Sequence, residues 1–167
     1  PGPAGADLTY DPSVPLERWQ GQFLVQPVEW AVADGGNGHW YGVLRTEALT
    51  WSDAKAEAEA LGGYLATVTS AGEDAFVQAL FVDVSEAFVR SGGGFDIGPW
   101  TGGFQRPAAT EPAGDFRWIT SEAFTYDGWL DGQPNDAAGV ENTVIYMGNP
   151  TVASGVGWSD YPRAPDN

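Results

Sequence analysis

No other stretch of the chain gathers so many hard oxygen donors in front of so clear a strand as Trp129–Asp160. Asp131, Gln133, Asn135, Asp136, Glu141 and Asn142 fall in a turn-rich run, an apolar segment follows, and Asp160 closes the stretch. Carboxylate and amide oxygens are the donors that Ca²⁺ takes, typically six to eight at a time. Gln133 and Asn135 flank Pro134. Two positions apart in extended backbone, their side chains point the same way. The chemistry open to this stretch is therefore capture of a hard divalent cation. The competing reading is a loop that only turns, because Asn, Asp and Gly shape turns without binding anything. An EF-hand over residues 131–142 is excluded: the sixth position is Asp136 rather than Gly, and the twelfth is Asn142 rather than Glu.

Other site chemistries are bounded by what the chain lacks. It has no cysteine and one histidine. Thiolate metal sites, disulfides and multi-histidine zinc sites are excluded, and a Ser-His-Asp triad would hang on His39 alone. That residue sits beside Trp40 in an apolar run and reads as structural. With 23 acidic residues some carboxylate pair will always be close, so acid count gives a two-carboxylate glycosidase little support. The reading is of a binding protein, not an enzyme. Glu111 and Asp115 could form a second ion site in their loop; a solvated loop is the simpler reading.

The net charge of −16 repels phosphate backbones and anionic membranes, so neither nucleic acid nor membrane insertion is expected. It attracts divalent cations, although acidic surfaces also serve solubility. No apolar run approaches membrane-spanning length. At 167 residues, 43% hydrophobic and with eight Trp, the chain can bury one sizeable core. Residues 1–20 read as a leader or linker, its PGPAGAD start that of an already trimmed chain. Residues 21–167 read as one domain.

Several elements must hold the oxygen-rich stretch in place. Residues 22–32 read as one or two strands bent at Pro27, and HWYGVL (39–44) as the next. Thr50 with Asp53 resembles a capping box, and Trp51, Ala54, Ala58 and Leu61 fall on one helical stripe stopped at Gly62. Tyr64–Val68 reads as a brief strand. Ser70 with Glu73 opens a second helix whose apolar side is Phe76, Val77, Leu80 and Phe81. A further helical turn and a flexible loop are expected across 83–94. PWTGGF (99–104), DFRWI (115–119), TVIY (143–146) and GWS (157–159) read as strands, with the glycines of the first allowing close backbone approach. The class is α+β, with the helices in the N-terminal half.

From about His39 to Asp160 these pieces resemble, in order, a C-type lectin-like domain. TWSDAKAEAEALGGYLATV is similar to that family's first helix and following strand, and TSAGEDAFVQAL to its second helix. WTGGF resembles its W-I-G core strand. FRWITSEAFTYDGWLDGQPN resembles the long-loop segment that leads to an E-P-N or Q-P-D motif, and Trp158-Ser159-Asp160 its W-N-D. The resemblance implies two helices packed on short antiparallel sheets, with a long Ca²⁺-binding loop. It departs from the family in having no structural cysteines, as in some bacterial members, and Ser in place of Asn in W-N-D. It also has only YPRAPDN where a closing strand would pair with the first. Either that strand is missing from the chain or the segment around 22–30 helps close the sheet.

The resemblance also implies a ligand set. Gln133 and Asn135 would face the ion across a cis Gln133–Pro134 bond. Glu141, eight residues after Gln133, matches the third ligand. Asn142 would add its side chain or carbonyl, and Asp160 would return from a neighbouring strand. Vicinal hydroxyls of a glycan would complete the Ca²⁺ shell and hydrogen-bond to Gln133, Asn135, Glu141 and Asn142. Q-P-N brings no acid of its own, which argues for weaker Ca²⁺ binding than either usual tripeptide. Asp136 would assist from behind the ligands or serve an auxiliary site. The expected role is a calcium-dependent lectin module, extracellular or on a cell surface, within a larger secreted adhesin. The alternative is a domain that binds a protein or other surface, with calcium only ordering the loop. Trp129 and Trp158 read as core.

Overall fold

The computed structural model describes residues 3–4, 7–8, 22–45, 50–106, 109–148 and 155–163. In chain order its elements are β1 (Pro3–Ala4), β2 (Asp7–Leu8), β3 (Phe23–Glu29), β4 (Trp40–Leu44), α1 (Trp51–Ala60), β5 (Gly63–Tyr64), α2 (Ala71–Phe81), β6 (Val89–Arg90), β7 (Asp96–Gln105), β8 (Phe116–Trp118), β9 (Glu141–Gly148) and β10 (Val156–Pro162).

Both helices begin where the side chains predict. Thr50 is extended and its hydroxyl accepts the Asp53 backbone N–H at 3.1 Å, which satisfies one of the donors a helix start leaves open. Trp51, Ala54 and Ala58 are buried on one stripe, and Leu61 packs beside them. Gly62, at φ 88°, supplies the left-handed turn that ends the helix. Ser70 caps α2 by accepting the Glu73 N–H at 3.2 Å.

The Glu73 carboxylate departs from the capping-box expectation. It accepts the Thr69 N–H at 2.6 Å and the Thr69 hydroxyl at 2.9 Å, one residue further out than the cap. It also accepts from the Tyr41 hydroxyl and from Asn37 Nδ2, so it ties α2 to β4. Asp74 holds the other side, accepting from Tyr146 at 2.6 Å, Tyr126 at 2.9 Å and Gln78 at 3.0 Å. Both carboxylates are buried in the first turn of the helix, where the positive end of its dipole favours them.

The main sheet has the order β10-β9-β7-β6, with β8 also paired to β7, and every pairing in it is antiparallel. Thr143 to Tyr146 of β9 are all buried, as a central strand covered on both faces requires. Val144, Tyr146 and Trp158 join one apolar cluster with Tyr41, Val77 and Phe81. Trp100 and Phe104 pack into a second with Trp51, Ala54 and Ala58. The glycines of β7 are where sheet and neighbours touch: a Cβ on Gly103 would meet Val144 Cγ2 at 2.4 Å, and one on Gly102 the Leu65 carbonyl at 2.7 Å.

A second sheet, β1-β4-β3, stands apart from the main one in its hydrogen bonding, with β3 antiparallel and β1 parallel to β4. The segment around 22–30 thus pairs with the strand expected over 39–44. β2 pairs with β5. Of the expected leader only residues 3–4 and 7–8 are described, and both enter strands; its remainder, Pro107 and the tail after Arg163 lie outside the described residues.

Two local expectations are corrected. The strand expected over Tyr64–Val68 stops at Tyr64. Leu65 to Val68 are all buried between the two clusters, and Ala66 meets β7 through a single bond, its carbonyl accepting the Gly102 N–H at 2.8 Å. The segment expected as a helical turn and flexible loop is a 3-10 turn at Ser85–Ala87 followed by a hairpin. Val89 pairs with Ile97 and Arg90 with Asp96, and the Ser91 N–H donates to the Phe95 carbonyl at 2.8 Å.

Candidate functional site

The oxygen-rich stretch is held against β10 by backbone and by aromatic rings. The Trp158 N–H donates to the Gly128 carbonyl at 2.8 Å and the Leu130 N–H to the Trp158 carbonyl at 2.9 Å, so residues 128–130 run alongside β10. Trp158 is fully buried, and the rings of Trp118, Tyr126 and Trp129 stand nearly perpendicular to it. Gly128 permits this approach, since a Cβ there would lie 2.7 Å from the Trp158 ring. Both tryptophans are scaffold, as expected.

From that anchor the chain turns at Gly132 (φ 85°) and passes through Gln133–Pro134, which is cis as the resemblance implies. Asp136 and Ala138 then adopt positive φ, at 47° and 60°, and Gly139 follows at 74°. This cluster of left-handed residues folds the loop back on itself, and the Gly139 N–H donates to the Asp136 carbonyl at 2.9 Å.

The expected ligands fall on the loop and on the two strands that flank it, β9 and β10. Asp160 is fully buried in β10 opposite Val144. Its carboxylate accepts the Asn135 N–H, at 3.0 Å from each oxygen, and the Asp136 N–H at 2.6 Å. Glu141 Oε2 accepts the Ala137 N–H at 2.9 Å. Asn142 lies two residues before Val144 on β9, where the pairing with β10 shifts register: Tyr161 faces Thr143 and Pro162 faces Glu141. Gln133 is fixed by its N–H, which donates to the Leu130 carbonyl at 2.9 Å. Asn135 is exposed at the loop surface.

The side-chain oxygens of Gln133 and Asn142 are buried and accept no hydrogen bond among the described residues, a state they share with Gln105 Oε1 and Trp158 Nε1. A buried acceptor without a donor is costly unless something else satisfies it. A hard cation satisfies amide oxygens of this kind, so the donor set fits Ca²⁺: two amide oxygens without hydrogen bonds, an exposed amide at Asn135, and the carboxylates of Glu141 and Asp160. That donor set is lean in charge. Among the described residues no three His, Cys, Asp or Glu side chains gather as a metal-holding group. Ser159 lies opposite Ile145, on the strand face that alternates away from Asp160, and its hydroxyl donates to the Asp160 carbonyl at 3.0 Å.

The second ion site considered for Glu111 and Asp115 is otherwise engaged. Glu111 accepts from the Gln105 amide at 2.9 Å, and Asp115 pairs with Arg117 at 2.6 Å. The part played by Asp136 was only partly legible. Its Oδ1 accepts the Glu141 N–H at 3.1 Å. The run of Asn, Asp, Ala and Gly announces a turn, but no spacing rule says which side chain caps which amide.

No protein-family model matches the chain. It is 34% identical over 92 residues to a perlucin-like protein of Mytilus galloprovincialis, covering 54% of this chain and 51% of that protein. It is 32% identical over 100 residues to ladderlectin of Oncorhynchus mykiss, covering 59% and 45%. The chain thus spans about half the length of the curated relatives it matches. Among solved structures, the C-type lectin CEL-I of Cucumaria echinata aligns with a TM-score of 0.51 at 23% identity, over 71% of this chain and 79% of that one. The chain has the C-type lectin-like fold, two helices packed with antiparallel sheets.

Proposed function

We propose that this chain is a calcium-dependent carbohydrate-binding module, with Ca²⁺ held by Gln133, Asn135, Glu141, Asn142 and Asp160. The observation that carries the reading is the pair of buried amide oxygens, Gln133 Oε1 and Asn142 Oδ1, left without hydrogen bonds among the described residues. The two relatives lend it further support, one of them a lectin by name. When bound, the ion supplies coordination positions for vicinal hydroxyls of a sugar. Gln133, Asn135, Glu141 and Asn142 supply hydrogen-bonding partners for the same hydroxyls, and the exposed position of Asn135 suits contact with ligand. Buried Asp160 anchors the loop rather than reaching the sugar. The site binds and performs no bond-breaking step.

With only two carboxylates in the shell, affinity for Ca²⁺ is modest, which suits calcium-rich extracellular surroundings. Secretion, a bacterial source and a place within a larger adhesin belong to this proposal. The bacterial source rests on the cysteine-free composition together with the resemblance, and secretion and the adhesin context on the resemblance alone. No helix among the described residues is long and apolar enough to cross a membrane.

Ser159 favours a second reading, in which calcium only orders the loop and the partner is a protein or other surface, because that position contributes no amide toward Asp160. A thermal melt with millimolar Ca²⁺ and with EDTA tests the ion: a ligand bound only by the folded state raises Tm in proportion to its saturation. Coincident melts sink both readings. A Ca²⁺-dependent melt without glycan binding selects the second.

A further inference from the structure

Asp136 is the point through which the loop closes. Its N–H donates to Asp160 at 2.6 Å, its carbonyl accepts the Gly139 N–H at 2.9 Å, and its side chain accepts the Glu141 N–H at 3.1 Å. Glu141 answers by accepting the Ala137 N–H at 2.9 Å. Four backbone N–H groups of residues 135–141 thus end on three carboxylates, and every donor and acceptor in this clasp belongs to the chain.

From this arrangement we infer that Asp136 is a positioning residue: it holds the backbone of Glu141, and through it the loop, in ligand-ready geometry by a hydrogen bond rather than by its charge. The inference rests on the calcium reading for what is being positioned, while the clasp itself requires no ion. Two features give it that role. Asp136 Oδ1 accepts from the Glu141 amide at a normal hydrogen-bond distance. Its backbone also sits at φ 47°, a conformation that Asp and Asn tolerate and most residues avoid, so Asp and Asn both suit the position whatever their charge.

Asn at this position keeps an oxygen that accepts the same bond and removes the charge. Gly keeps the backbone angle without strain and removes both. Partners that orient a metal ligand are commonly worth about 10–100-fold in metal affinity. The test uses the full chain and its D136N and D136G variants. Amide hydrogen exchange in EDTA reads the clasp, and Ca²⁺ titration by calorimetry reads the site.

The inference predicts that the Asp136, Ala137 and Glu141 amides of the parent are protected in EDTA. D136N should keep that protection and bind Ca²⁺ close to the parent. D136G should lose protection at Glu141 and bind Ca²⁺ about 10–100-fold more weakly. Unprotected amides in the EDTA-treated parent overturn the clasp, whatever the variants do. Loss of affinity in D136N as deep as in D136G, with the Glu141 amide still protected, overturns the hydrogen-bond role in favour of charge or direct ligation. Protected amides with no Ca²⁺ binding by the parent overturn the calcium reading and the positioning role together, and leave the clasp as loop architecture.

Discussion

Asn135 and Gly128 show two ways in which one residue can decide the site. Asn135 offers its side chain at the loop surface while its backbone N–H is tied to Asp160. Asn135→Ala keeps that backbone tie and removes the amide oxygen. It is expected to cut Ca²⁺ affinity by at least about tenfold, abolish the Ca²⁺-induced rise in Tm and remove glycan binding, with the EDTA melt unchanged. A melt that still responds fully to Ca²⁺ would remove Asn135 from the shell. Gly128 acts through packing: a methyl there collides with the Trp158 ring. Gly128→Ala is expected to cost about 1–3 kcal/mol in chemical denaturation and to loosen the loop anchor.

At the scale of elements, α2 is the link between core and long loop. Asp74 in its first turn accepts from Tyr146 on β9 and from Tyr126 on the approach to the loop. Burial, followed by the hydrogen bond to Asp74, pushes the Tyr126 hydroxyl up to about 12, and burial beside Asp74 raises that of Tyr146 well above its ordinary value. The sign follows from the neutral phenol being the form the fold favours. This stability is fully present below about pH 10, where unfolded tyrosine is neutral, and is lost as pH rises through the folded values. Denaturation midpoints should therefore fall steeply above about pH 10, and less steeply in Tyr146→Phe, which removes one of the two titrations. An equal slope in parent and variant would show that Tyr146 is not coupled to unfolding.

The same helix shows how far the sequence could be read. Local signals carried the helix starts at Thr50 and Ser70, the apolar stripes, the strands around Trp100 and Val144, and the turn at residues 131–139, because capping, periodicity and turn chemistry are encoded within a few residues. Glu73 looked like a capping-box partner and instead reaches Tyr41 on β4, 32 positions away. The Asp74–Tyr146 bond spans 72 positions, and no local pattern announces it. The strand expected over Tyr64–Val68 failed for a related reason: an apolar run marks burial, and burial between two clusters does not require ladder pairing.

For the molecule as a whole, a net charge of −16 on 167 residues sets the background against which an ion binds. Self-repulsion weakens the folded state at low salt. Raising NaCl from low to physiological strength, where the screening length shortens to about 8 Å, should raise Tm in EDTA. It should also lower apparent Ca²⁺ affinity, since screening reduces the attraction of the acidic surface for a cation. A Tm insensitive to salt would mean that surface repulsion is negligible. The same charge opposes anionic partners and leaves neutral glycans unopposed. The proposed role for Gln133, Asn135, Glu141, Asn142 and Asp160 is capture of sugar through Ca²⁺. A glycan array probed in millimolar Ca²⁺, then in EDTA, then with Ca²⁺ restored reads both partners at once. Binding should disappear with EDTA and return with the ion; binding that survives EDTA unchanged, or no glycan bound at any Ca²⁺ concentration, would overturn this role.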